Sequence, residues 1–250
     1  MNSSNASLKQ QRRGFLIAAG SAFVGLSLGG LRGIVHAAEP SRQKIGIIGS
    51  GRIGGTLGGL WLKAGHEVMF SSLDLEHDKA LAATLGAGAY AGTPREAAAF
   101  GEVLLVSVPY AALPQLGRDL EVFIKGKVLL DTCNPIPARD GEMATEAKAK
   151  GTGIVSPQLL PGARLVRAFN SVGHAKLQSE AHRAGERVAI PLAGDDAEAL
   201  ATALRLVQEA GFEGVVVGPL ARAREFDHGT PVFGKALTAA ELRRGLGLSP

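Results

Sequence analysis

Residues 44–68 read KIGIIGSGRIGGTLGGLWLKAGHEV, and this stretch decides the fold. Ile45, Gly46, Ile47 and Ile48 form a short apolar run suited to a strand buried on both faces. Gly49, Gly51 and Gly54 follow at G-x-G-x-x-G spacing, with Ser50, Arg52 and Ile53 between them. Gly49 allows a tight turn, Gly51 lets the backbone approach a pyrophosphate, and Gly54 lets a helix lie close to the strand. The phosphates would rest on the helix N-terminus, where free N–H groups and the dipole favour an anion. Ile53, Leu57, Leu60, Trp61 and Ala64 recur at helical spacing, and Gly65 ends the helix before a second strand at His66–Phe70. Glycine is common in this chain, so the spacing alone is weak; the strand before and the helix after it make it a dinucleotide-binding turn.

The first 38 residues have another character. Arg12-Arg13-Gly14-Phe15-Leu16-Ile17 leads into an apolar, glycine-rich stretch ending near Ala38, with Val35 and Ala37 placed for cleavage after Ala37. This is the pattern of a twin-arginine export signal, and it predicts engagement of the twin-arginine machinery and a periplasmic location. The stretch is broken by Arg32 and rich in glycine, which suits a cleaved signal better than a retained anchor. It contains no cysteine and hence no site for lipid attachment.

Four of the 27 Lys and Arg residues lie before residue 39 and no acid does, leaving 23 basic against 23 acidic residues. That balance gives no sign of a nucleic-acid partner. The remaining length, residues 39–250, suits one well-buried domain with short C-terminal additions. The single Cys133 has no partner for an internal disulfide, and no Cys/His spacing suggests a metal.

Beyond the first unit the chain keeps alternating. Residues 102–108, 127–131, 165–169, 188–192 and 214–217 read as buried strands, with helical patterns at 78–84, 94–100, 111–120 and 195–210. The expectation is an α/β, Rossmann-like, doubly wound and mostly parallel sheet. Ligands in such sheets bind outside the carboxyl ends of the strands. The candidate binding loops are therefore Gly49–Gly54, Pro109-Tyr110, Thr132–Pro135 and Asn170-Ser171.

Five features occur in a characteristic order: the glycine fingerprint, Val108-Pro109, the D-x-x-N-P turn at 131–135, L-P-G-A at 160–163, and A-F-N-S-V at 168–172. Over about residues 44–227 the chain resembles the family of NADP oxidoreductases dependent on coenzyme F-420. That family is similar to the N-terminal domain of pyrroline-5-carboxylate reductase, without its long helical dimerisation domain. The resemblance implies hydride transfer between NADP(H) and a deazaflavin (F-420) or other flavin-type acceptor. Two rings held face to face can exchange a hydride without a protein acid or base. Asn170, Pro109 and Asn134 are the positions expected around the nicotinamide and its partner ring, with Val108 beside them. His174, just after A-F-N-S-V, is a candidate donor of a proton or hydrogen bond.

At the end of the second strand an NAD-specific protein usually carries an acid for the ribose, whereas this chain reads Ser71-Ser72-Leu73. NADP is the expected cofactor. The family usually has Arg where Leu73 stands, which leaves Ser71 and Ser72 as donors and Arg52, His77 or Lys79 as nearby cations; Asp74 keeps NAD open as the alternative. Cys133 reads as a small buried thiol, His228 as a surface residue, and 239–244 as a solvated helix face. Two other functions remain open: an imine or carbonyl reductase with His174 or Tyr110 as proton donor, and a non-catalytic dinucleotide sensor. Pairing into a homodimer leaves no motif and also stays open.

Overall fold

Alternation with a period of two along short apolar strands sets the layers. A computed structural model describes residues 42–249; the stretch expected to be an export signal, 1–38, with Arg12, Arg13 and the junction after Ala37, lies outside the described residues. In chain order the elements are β1 (Lys44–Ile48), α1 (Arg52–Lys63), β2 (Glu67–Ser71), α2 (Leu75–Leu85), β3 (Ala89–Ala91), α3 (Pro94–Phe100), β4 (Val103–Val106), α4 (Leu113–Ile124) and β5 (Val128–Asp131). There follow α5 (Pro137–Asp140), α6 (Glu142–Lys150), α7 (Thr152–Leu159), β6 (Arg164–Arg167), α8 (His174–Glu180), β7 (Ala189–Gly194), α9 (Ala197–Glu209), β8 (Glu213–Gly218) and α10 (Ala239–Gly245).

The eight strands form one sheet in the order β3-β2-β1-β4-β5-β6-β7-β8. All neighbours are parallel except β6 and β7. The sheet is thus the doubly wound, mostly parallel one expected, with the first strand central and the chain turning outward in both directions from it.

Ile45, Ile47, Val103, Leu105 and Leu130 pack on one face, against Leu57 and Trp61 of α1 and Leu206 of α9. Ile48, Leu104, Val106 and Leu129 pack on the other, against Leu113, Leu120 and Ile124 of α4. The indole N–H of Trp61 donates to the Leu206 carbonyl at 2.9 Å, so the large apolar residue that joins the two helices has no unpaired donor. A third cluster lies beyond, where Leu242 of α10 packs with Val215, Val217 and Phe226. The stretch at 239–244 is therefore not wholly solvated: Leu242 is buried, and a capping box between Thr238 and Glu241 starts the helix.

Four elements lack a sequence signal. β3 is three residues long, and α5 to α7 are short helices interrupted by Gly141, Gly151 and Pro157. Among the described residues no helix is long and apolar enough to cross a membrane.

Candidate functional site

The glycine turn has the three properties its spacing requires. Gly49 has φ of +99°, and a Cβ there would meet the Ser107 carbonyl oxygen at 2.2 Å. A Cβ on Gly54 would meet the Gly49 carbonyl oxygen at 2.1 Å, so only glycine lets α1 begin this close to β1. A Cβ on Gly51 would meet nothing within 4 Å, so the backbone there faces open space. Gly51 also caps α1 without a side-chain hydrogen bond, and the first turn holds no acid. An anion would find an uncompensated positive helix end at that opening. The residues fit a dinucleotide pyrophosphate.

A groove runs from there along the carboxyl ends of the strands. Its largest part is a cleft of about 760 Å³ bounded by Gly49, Gly51, Ser72, Leu73, Asp74, Val108 and Pro109, together with residues of α3 and α4. Val108 and Pro109 also border a middle chamber of about 260 Å³, shared with Arg52, Ile53 and Asn134. Ile53 and Asn134 in turn border an end chamber of about 440 Å³, which contains Asn170, His174, Phe233 and Gly234. Asn134 is the hinge between the last two spaces. The fold thus gathers residues far apart in sequence, from 49 to 234, into one line.

Asn170 reaches its place through a backbone conformation rare for its neighbour. Phe169 has φ of +59°, in the left-handed region that costs a non-glycine residue of order 1–3 kcal/mol. Its ring is buried edge-on to both Trp61 and Phe212, with centroids 6.2 and 6.1 Å away. That packing holds the turn and sets Asn170 at the groove. Asn170 Nδ2 lies near three acceptors: Asn134 Oδ1 at 3.4 Å, the Phe226 carbonyl at 3.4 Å and Asp227 Oδ1 at 3.3 Å. This fixes the orientation of the amide and leaves its buried oxygen, Oδ1, without a partner among the described residues. An amide N–H of a bound ligand would satisfy it.

Beneath the asparagines lies a buried charge cluster. Arg167, fully buried at the end of β6, pairs with Asp131 at 3.0 Å and Asp227 at 2.8 Å, and donates to the Cys133 carbonyl at 2.6 Å. Burial works against the guanidinium charge, but the two carboxylates outweigh it and its pKa moves up. The cluster ties β5, β6 and the segment at 227 together under the groove. Asp131 was visible only as part of the D-x-x-N-P turn, and nothing in the sequence paired it or Asp227 with Arg167.

Other expected residues fall elsewhere. The Ser71 side chain is fully buried and donates to the Ile47 carbonyl at 2.6 Å. It contributes through its own carbonyl, which accepts from the Gly49 and Ser50 N–H groups at 2.8 and 3.0 Å. Ser50 is likewise buried and donates to Asp78, whose second oxygen accepts from Ser72 at 2.8 Å. Asp78 is the missed residue here: a fully buried carboxylate on α2 that joins the glycine turn to the end of β2. Arg52 borders the middle chamber instead of the edge at Leu73.

Tyr110 is fully buried, with its hydroxyl 3.1 Å from Ser156 Oγ. Burial raises its pKa, and it does not border the groove. Of the two proton donors considered, only His174 reaches the groove. Cys133 is buried as expected; loss of solvent pushes its thiol pKa well up, as does the Asp131 charge. His228 is half-buried, not a free surface residue, with its ring edge-on to Phe233 at 4.9 Å. Among the described residues no group of three His, Cys, Asp or Glu side chains is arranged to hold a metal.

Fold and groove together define a Rossmann-type dinucleotide-binding protein. Residues 44–135 match the family described as NADP oxidoreductase, coenzyme F420-dependent. The metalloreductase STEAP3 of Rattus norvegicus is 28% identical over 187 residues, 74% of this chain and 36% of that protein. The chain therefore spans little more than a third of that curated relative's length. A Sinorhizobium meliloti protein described only as hypothetical has a similar structure, with a TM-score of 0.69, 22% identity and coverage of 79% of this chain and 95% of that one. A protein of Arthrobacter sp. FB24, described as an F420-dependent NADP reductase, has a TM-score of 0.65 and 20% identity, covering 78% and 99%. At these identities the two structures share the fold.

Proposed function

We propose that the protein transfers a hydride between NADP(H), held along the glycine turn and the large cleft, and a deazaflavin (F-420) or other flavin-type acceptor in the end chamber. The observation that carries this reading is the meeting of two separate spaces at Asn134, beside an orphaned amide oxygen on Asn170. NADP(H), when bound, supplies or accepts the hydride. The chain's own residues position: Gly49, Gly51 and Gly54 admit the pyrophosphate, Pro109 and Ile53 shape the passage, and Asn134 and Asn170 orient polar edges. No acid–base group is required for ring-to-ring transfer.

The test is NADPH oxidation followed by absorbance with F-420, flavin mononucleotide, a ferric chelate and a cyclic imine as separate acceptors. Turnover on F-420 or the flavin supports the reading. Turnover on the imine alone overturns it in favour of the second reading, a small-imine or carbonyl reductase, which is favoured by one observation: His174 borders the same chamber as Asn170. Tight binding with no turnover on any acceptor supports a sensor.

Export through the twin-arginine route belongs to the same proposal, because that pathway carries folded proteins and a preloaded cofactor would travel with the chain. Fractionation of cells carrying the Arg12→Lys, Arg13→Lys double variant tests it; an unchanged distribution from the parent would remove it. Pairing into a homodimer stays a proposal of the same reading, and light scattering on the mature protein reads it directly.

A further inference from the structure

We infer that Arg95 is the residue that recognises the 2′-phosphate of NADP in this chain, from across the cleft rather than from the loop after β2. The inference rests on the NADP reading above.

The loop after β2 has little to offer a phosphate. The Ser71 hydroxyl is turned inward to the Ile47 carbonyl, and the Ser72 hydroxyl is engaged by the Asp78 carboxylate at 2.8 Å. Leu73 is fully exposed and has no donor, and Asp74 adds a negative charge while capping α2 through the His77 N–H. Lys79 pairs with Glu76 at 2.8 Å and lies outside the cleft lining. An uncompensated dianion placed against this edge would be repelled.

Arg95 borders the same cleft as Ser72, Leu73 and Asp74. Two features set it apart from an ordinary surface arginine. It occupies the first turn of α3, where the helix dipole disfavours a cation. It also makes no ion pair among the described residues. The adjacent Glu96 is turned away into a capping box, accepting from the Thr93 N–H at 2.7 Å and the Thr93 hydroxyl at 2.8 Å. The Arg95 guanidinium instead lies 5.4 Å from the centre of the Phe123 ring on α4. Its cationic fork is thus held by an aromatic face and makes no ion pair among the described residues, although Asp74 and Asp119 also border the cleft. A planar guanidinium can bind a phosphate through two parallel N–H donors.

The experiment measures dissociation constants for NADPH and NADH by cofactor fluorescence on the parent, R95Q and R95K, with melting curves as a check on folding. R95Q is expected to weaken NADPH about ten- to a hundredfold and leave NADH within about twofold, and R95K to recover part of the loss. Equal weakening of both cofactors would overturn the inference in favour of a contact to the shared adenosine, and so would an unchanged NADPH affinity. A parent protein that itself prefers NADH would overturn the NADP reading, a result seen before any variant is made.

Discussion

Asn134 and Asn170 hold each other across the ends of β5 and β6: Asn134 Nδ2 donates to the Asn170 carbonyl at 2.8 Å, while Asn170 Nδ2 lies 3.4 Å from Asn134 Oδ1. Truncating Asn134 removes an anchor of Asn170 without opening the core. Asn134→Ala is expected to slow NADPH oxidation about tenfold, with NADPH affinity changed by less than about threefold, since one net hydrogen bond is worth about 1 kcal/mol. Comparison of kcat with a separately measured Kd checks this. A variant that lost affinity but kept its rate would place Asn134 with the cofactor rather than with the geometry of transfer.

Arg167 is a stability residue rather than a catalytic one. Arg167→Met would leave the Asp131 and Asp227 carboxylates facing each other beneath the groove, and loss of one partner from a buried ion cluster costs about 3–5 kcal/mol. Urea denaturation should show that loss. An effect under about 1 kcal/mol would mean that water reaches the cluster.

The last two glycines of the fingerprint should behave differently. Gly51→Ala adds a methyl group to open space and should leave urea stability within about 0.5 kcal/mol of the parent while weakening NADPH binding. Gly54→Ala drives a methyl group into the Gly49 carbonyl and should lower both. If Gly51→Ala bound NADPH as tightly as the parent, the pyrophosphate would lie elsewhere.

Cys133 should resist iodoacetamide in the folded protein at pH 8 and react fully in urea, because it is buried and its thiolate is disfavoured. Mass spectrometry of the intact protein reads both states. Rapid labelling without denaturant would show that the middle chamber opens.

Asp196 gives the fold an acid-sensitive element. Its carboxylate accepts two hydrogen bonds of 2.6 Å from Arg164 and one of 2.9 Å from the Ala199 N–H, and the Arg164 bonds hold its pKa well below the usual range. A folded-state pKa below the unfolded value contributes stability above the unfolded pKa of about 3.9, which is lost as pH falls through the folded pKa. Asp196→Asn should therefore flatten the dependence of stability on pH below about pH 5, as measured by urea melts at a series of pH values.

The parts of this molecule that were legible in sequence are those written in local periodicity. The glycine turn, α1 and the apolar central strands need only neighbours a few residues apart, and α3 runs over the residues its Thr93-Pro94 start marks, Pro94–Phe100. β3 escaped because Ala89-Tyr90-Ala91 is too short to alternate, and α5 to α7 because glycine and proline break them up. The site divides in the same way. The loops at strand ends contain Asn134 and Asn170, with His174 just after them, and all three border the end chamber, whereas Asp78 and Arg95 come from other elements. No spacing rule links Leu73 to an arginine 22 positions later that borders the same cleft once β2 and β3 pair in parallel.

The single antiparallel pairing, β6 with β7, has a consequence for how the groove is built. From β7 onward the strand ends that normally carry ligand loops face away from the glycine turn, so the last quarter of the chain can reach the groove only by doubling back. It does so with Asp227, Phe233 and Gly234; the Gly234 N–H donates to the Ser171 carbonyl at 2.7 Å, and its own carbonyl accepts from Lys176 at 2.7 Å. This returning strap walls the end chamber and stays clear of the large cleft. On the proposed reading, edits to the strap would change what enters beside Asn170 while the large cleft, which the strap does not line, stayed as it was.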